Sequence, residues 1–98
     1  MLSSKQRSYL SKLASSLNPT VMVGKEGNSP GVAAALAEDF KHRELVKLRF
    51  VAFKEDRMDT ARNLAEKSGA ELVRVIGNVA VFYRRADDPE ERRIQLPV

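Results

Sequence analysis

The sequence predicts an α/β fold: a two-layer sandwich of α-β-α-β-α-β-β order around a mixed four-stranded sheet. Three observations predict it. Helical apolar periodicity and two-residue alternation take turns along the chain. Two strand–helix–strand connections favour parallel neighbours with right-handed crossovers, which puts both helices on one sheet face. The last two strands meet at Gly77-Asn78, a two-residue hairpin signal that makes the final strand antiparallel.

The elements follow in order. Ser3 with Gln6 makes a capping-box pattern, and Leu10, Leu13, Ala14 and Leu17 supply the i, i+3, i+4, i+7 stripe of an amphipathic helix. Asn18-Pro19 ends it. Lys5, Tyr9, Lys12 and Ser16 share its other side, a basic face with one aromatic. Thr20 to Val23 is a short β-branched strand. After the stretch "VGKEGNSP", Ser29 as N-cap and Pro30 at the first helical position start a second helix. Val32, Leu36 and Phe40 form its buried stripe, and His42-Arg43 suits its C-terminal dipole. Leu45 to Phe53 alternates, with Val46, Leu48, Phe50 and Ala52 on one face and Lys47 and Arg49 on the other. Asp56 caps a third helix with Met58, Ala61, Leu64 and Ala65 inward, and Gly69 stops it. "ELVRVIG" and "VAVFYR" are the hairpin strands, "ADDPEE" is a solvated loop, and "RRIQLP" adds an extended piece through Ile94 and Leu96. With both crossover helices on one side, the other sheet face is expected to be relatively open, with Lys47, Arg49 and Arg74 pointing there.

The 98 residues correspond to one domain, residues 1–98. A 43% hydrophobic and 31% charged composition is that of a globular chain rather than a disordered one. There is no cysteine, which excludes disulfides and thiolate metal sites and fits a reducing compartment such as the cytoplasm. No apolar run reaches the length of a membrane span. The net charge of +4 is confined to the first quarter. Lys5, Arg7, Lys12 and Lys25 precede every acidic residue, and the remaining 13 basic residues balance the 13 acidic ones. Charge concentrated in this way is an electrostatic footprint for nucleic acid. The same serine-rich, basic start also fits an organellar presequence.

Nothing here has the pattern of a catalytic centre. His42 is the only histidine and stands at a helix end; no nucleophilic cysteine, metal-ligand spacing or cofactor fingerprint occurs. Asp87, Asp88, Glu90 and Glu91 surround a proline, as in a solvated turn. "GKEG" is neither a Walker motif nor a dinucleotide fingerprint. It is G-x-x-G, a spacing that lets main chain approach a nucleotide backbone, with Lys25 supplying charge and a helix N-terminus following. It also suits any strand-to-helix turn. The helix set Lys5, Arg7 and Lys12 and the sheet set Lys47, Arg49 and Arg74 each fit a solvated surface. Taken together with the loop, they make RNA or DNA binding the joint reading.

Five pieces of the chain together resemble the YhbY family, the stand-alone bacterial form of the CRM (chloroplast RNA splicing and ribosome maturation) domain. They are "LSSKQRSYLSKLA", "VMVGKEG", "HRELVKLRF", "GAELVRVIGNVAVFYRR" and "RRIQLP", in this order and spacing. The resemblance implies a fold similar to the C-terminal domain of a bacterial translation initiation factor. It makes the first helix part of the domain rather than a presequence. It implies RNA binding without catalysis, cofactor or metal, with Gly24, Lys25 and Gly27 as the loop site beside the basic residues. Bacterial members are associated with precursors of the large ribosomal subunit, so the implied partner is ribosomal RNA, with no membrane. Asn28, where the family usually has an apolar residue, and Glu26 depart from its loop pattern. The other function classes that fit are a module docking on ribosomal proteins and a general DNA-binding protein.

Overall fold

The computed structural model describes residues 2–24, 30–51 and 56–98. Its elements are α1 (Ser4–Ala14), β1 (Val21–Val23), α2 (Pro30–Asp39), β2 (Leu45–Phe50), α3 (Arg57–Ser68), β3 (Glu71–Ile76) and β4 (Val79–Tyr83), then a 3-10 turn at Pro89–Glu91. This is the expected order. The four strands form one mixed sheet in the order β1-β2-β4-β3. β1 lies parallel to β2, and β4 lies antiparallel to both β2 and β3. β3 therefore runs in the same direction as β2, with β4 between them.

Alternation divides the sheet residues between two cores. Val21, Val23, Val46, Leu48, Phe50, Ala80 and Phe82 pack with Leu36 and Phe40 of the α2 segment and Ala61, Leu64 and Ala65 of α3. The sheet and these two helices are the expected sandwich. The other face is not the open one that the crossovers alone suggest. Leu45, Val81 and Tyr83 fall on it by the same alternation, and an apolar surface must be covered. The stripe of α1 supplies the cover: Leu10 and Ala14, with the half-buried Leu13, Ile94 and Leu96, pack on Leu45, Val73, Val81 and Tyr83.

Local chemistry accounts for the element ends. Ser3 and Gln6 make the reciprocal capping box at the start of α1. The helix stops at Ala14 and does not continue to Leu17, which is 38% exposed. The Ser15 N–H and hydroxyl both turn back to the Lys12 carbonyl, and Lys47 Nζ donates to the carbonyls of Ala14 and Leu17 at 3.2 Å each. Asp56 stands at the N-cap of α3, but its side chain makes no capping hydrogen bond, and Met58, at the edge of the apolar stripe, is exposed instead of inward. Gly69 ends α3 with φ 71°, and the Ala70 N–H reaches the Ala65 carbonyl at 2.9 Å. Ser29 as N-cap and the Ala52–Phe53 end of the second strand lie outside the described residues. Among the described residues, no helix is long and apolar enough to cross a membrane, and no group of three acidic or histidine side chains could hold a metal ion.

Candidate nucleic-acid interface

Three connections meet at one end of the sheet. β1 and β2 are parallel with Val23 opposite Phe50, so the chain leaves both strands at the same end, at Gly24 and at Val51. The β3–β4 turn, Gly77-Asn78, is there too, because the Phe50 N–H donates to the Asn78 carbonyl at 2.8 Å. Gly24 is exposed at this end, and a Cβ built on it would meet nothing within 4 Å. Nor does Gly24 have the positive φ that Gly69 and Gly77 have. Among the described residues nothing gives a steric reason for glycine here, and its bare main chain is exposed. Lys25 and Gly27 lie outside the described residues.

The remaining predicted site residues divide between α1 and the sheet, and the fold brings both sets to one side of the molecule. Lys5, Arg7 and Lys12 are exposed on α1, with Tyr9 37% exposed beside them. Arg49 and Arg74 are exposed on the sheet face that α1 partly covers. Arg74 gets there by a β-bulge. Strict alternation would put it on the same side as Leu72, which packs in the α2–α3 core. The register shift between Leu72 and Arg74 pairs Arg74 with Val81 instead, whose side chain lies under α1. Among the described residues, none of Lys5, Arg7, Lys12, Arg49 and Arg74 makes an ion pair. Residues 2–24, 45–51 and 72–86 contain no acid, while the α2–α3 layer carries Glu38, Asp39, Asp56, Asp59 and Glu66. The α1 side of the sheet is therefore predominantly basic, with Glu71 beside Tyr83 at the far end of β3, and the other layer is mixed.

Lys47 is placed differently from its two partners. Its half-buried side chain takes the ammonium to the C-terminal carbonyls of α1, where the helix dipole favours a cation. It fixes the helix that displays the other basic residues.

Two kinds of residue escaped the sequence reading. Met22 and Ile76 are 50% and 57% exposed, large apolar side chains on the same face as Arg49. Their signal was available: Met22 alternates with the buried Val21 and Val23. Glu44 is the second kind. It is 4% exposed, and its carboxylate accepts the N–H groups of Ala86, Arg93 and Ile94 at 2.9, 2.7 and 3.0 Å. Burial alone pushes its carboxyl up, but these three donors and the Arg92 guanidinium outweigh it and hold the group below the usual carboxylate range. No spacing in the sequence marks it, because its partners are backbone groups over 40 residues away.

Known proteins are similar to this one along nearly the whole chain. The family model of the CRS1 / YhbY (CRM) domain matches residues 2–84. An RNA-binding protein of Haemophilus influenzae is 37% identical over 97 residues, covering 98% of this chain and 95% of the relative. The Bacillus subtilis protein named "Probable RNA-binding protein YqeI" is 36% identical over 98 residues, covering 99% of this chain and 100% of the relative. The solution structure of the hypothetical protein SAV1595 from Staphylococcus aureus, described as an RNA-binding candidate, superposes with a TM-score of 0.83 at 33% identity, over 99% of this chain and 100% of that one. The chain belongs to the CRS1 / YhbY (CRM) domain family.

Proposed function

We propose that this protein binds RNA without catalysing a reaction, and that its RNA is ribosomal RNA in precursors of the large ribosomal subunit, in the cytoplasm. The observation that carries RNA binding is the joining of two separate basic sets, Lys5, Arg7 and Lys12 with Arg49 and Arg74, on one predominantly basic side next to the exposed Gly24. Relatives named as RNA-binding proteins support the same reading. The ribosomal assignment rests on the bacterial family members that the sequence resembles. In the mechanism, phosphates approach main chain at Gly24 to Gly27, Lys25 adds charge, and the basic layer steers and holds the strand.

Binding titrations test the loop. Gly24→Asp and Lys25→Glu are expected to weaken binding to structured ribosomal RNA several-fold while leaving the melting temperature within a few degrees of the parent. Full affinity in both folded variants would remove the loop from the site. Parallel titration on duplex DNA separates RNA binding from general nucleic-acid binding. Crosslinking in cells followed by sequencing tests the partner: reads concentrated on large-subunit RNA are expected, and reads spread evenly over messenger RNA would overturn the ribosomal assignment.

A further inference from the structure

The last complete row of the sheet before the loop end runs across all four strands: Met22 on β1, Arg49 on β2, Val79 on β4 and Ile76 on β3. These residues are register partners in sequence, Met22 with Arg49, Arg49 with Val79 and Val79 with Ile76, so their side chains leave the same face side by side. α1 covers the neighbouring part of this face but not this row: Met22 and Ile76 are 50% and 57% exposed, Arg49 is exposed and Val79 is half-buried. At the Ile76–Val79 end the row continues into an apolar cleft under α1, walled by Ala14, Ser15, Lys47 and Val81. At its other end the chain passes directly from Met22 through Val23 to Gly24.

An apolar strip left in water beside a covered core needs an occupant. Its charge selects one. Arg49 stands in the middle of the strip and Arg74 in the next row, and no acidic residue occurs in β1, β2, β4 or α1. A second copy docking through the same row would set Arg49 against the same apolar and basic side chains, and an apolar peptide would leave it unpaired, whereas a nucleic-acid strand brings an opposing charge with every nucleotide. Apolar side chains and guanidinium planes are also surfaces against which unstacked bases lie. In a duplex the base faces are already stacked on one another, so a duplex has none to offer. The row spans about 14 Å across four strands, wide enough for about two nucleobases.

We propose that this row is a platform for unpaired nucleobases, with Met22 and the Val79–Ile76 end contacting base faces, the Arg49 guanidinium stacking between them with its edge toward a phosphate, and Arg74 holding the adjoining phosphate. The proposal rests on the RNA-binding reading and adds to it that the bound segment is single-stranded. The test compares the wild-type protein and a Met22→Ser/Ile76→Ser variant on three short probes: a single-stranded RNA, an abasic strand of the same length and a perfect RNA duplex. The wild type is expected to bind the single-stranded RNA about tenfold or more tightly than the abasic strand, which offers the same phosphates. The variant is expected to lose that advantage while keeping its affinity for the abasic strand and its salt dependence. Equal wild-type affinity for the base-bearing and abasic strands, or a preference for the duplex, overturns the platform and leaves RNA binding standing. So does an unchanged variant. A wild-type dimer in solution that the variant abolishes would give the row to a second copy and overturn the proposal as well. Failure of the wild type to bind any of the three probes at low salt would overturn the underlying reading and the platform with it.

Discussion

At position 44, a nearly buried carboxylate holds together two parts of the chain that are far apart in sequence. Its three backbone donors, Ala86, Arg93 and Ile94, belong to the segment that follows β4, and the Glu44 carbonyl accepts the N–H of Arg84 as well. This places Ile94 and Leu96 in the core under α1. Glu44→Gln keeps the shape but substitutes an amide group, itself a donor, for one acceptor oxygen. It is expected to cost about 2 kcal/mol and to lower Tm by roughly 10 °C. The pH dependence follows from the sign of the shift. The folded pKa lies below the unfolded value of about 4.5, so the stabilisation is complete above that value and is lost as pH falls through the folded pKa. The difference in Tm between the two proteins should therefore be constant near neutral pH and shrink in acid below about 4.5. A gap independent of pH would mean that the carboxylate charge is not what holds the segment.

Among the elements, α1 matters most for the site and was only half legible. Its capping box, its apolar stripe and its basic side are local patterns, and all three are read directly from neighbouring residues. Where it docks is a non-local fact. It depends on Leu45, Val81 and Tyr83 being left apolar on the second sheet face, and each of these looks like an ordinary strand residue when taken alone. Its length was misjudged for a similar reason. The periodicity runs on to Leu17, but Lys47 on β2, 30 or more residues away, takes the carbonyls of Ala14 and Leu17. Arg74 lies on the expected face, but the bulge that puts it there cannot be counted from alternation. These placements separate two kinds of lysine and arginine by experiment. Lys47→Met should lower stability by about 1–2 kcal/mol by leaving helix carbonyls without their cation, and should reduce RNA affinity only as far as α1 is displaced. Arg49→Met should leave Tm unchanged and reduce RNA affinity directly. Thermal melts and binding titrations on the two variants check the division; similar losses of affinity with unchanged Tm in both would place Lys47 on the RNA.

At the scale of the whole molecule, what distinguishes this protein is not its net charge but where the charge lies. A net +4 on 98 residues is modest, and the count alone only suggests an acidic partner. The fold adds that Lys5, Arg7, Lys12, Arg49 and Arg74, none of them ion-paired among the described residues, share one layer, whereas on the α2–α3 layer Lys41 pairs with Glu38 at 3.0 Å and Arg62 lies 4.0 Å from Asp59. A strand lying along the basic layer releases one counterion for each phosphate neutralised, so the dependence on salt counts the contacts. The first-quarter cations Lys5, Arg7, Lys12 and Lys25 alone would give a log–log slope of about −3 on single-stranded RNA. With Arg49 and Arg74 on the same side, the slope should steepen to about −4. Replacing Arg49 and Arg74 by glutamine should return it to about −3, whereas replacing Lys41 and Arg62 removes the same formal charge from the other layer and should leave it unchanged. If the two pairs of substitutions changed the slope equally, RNA would be responding to total charge, and the layered arrangement would have no part in binding. If the slope changes only with the first pair, the contacts lie on the layer formed by α1 and the exposed end of the sheet.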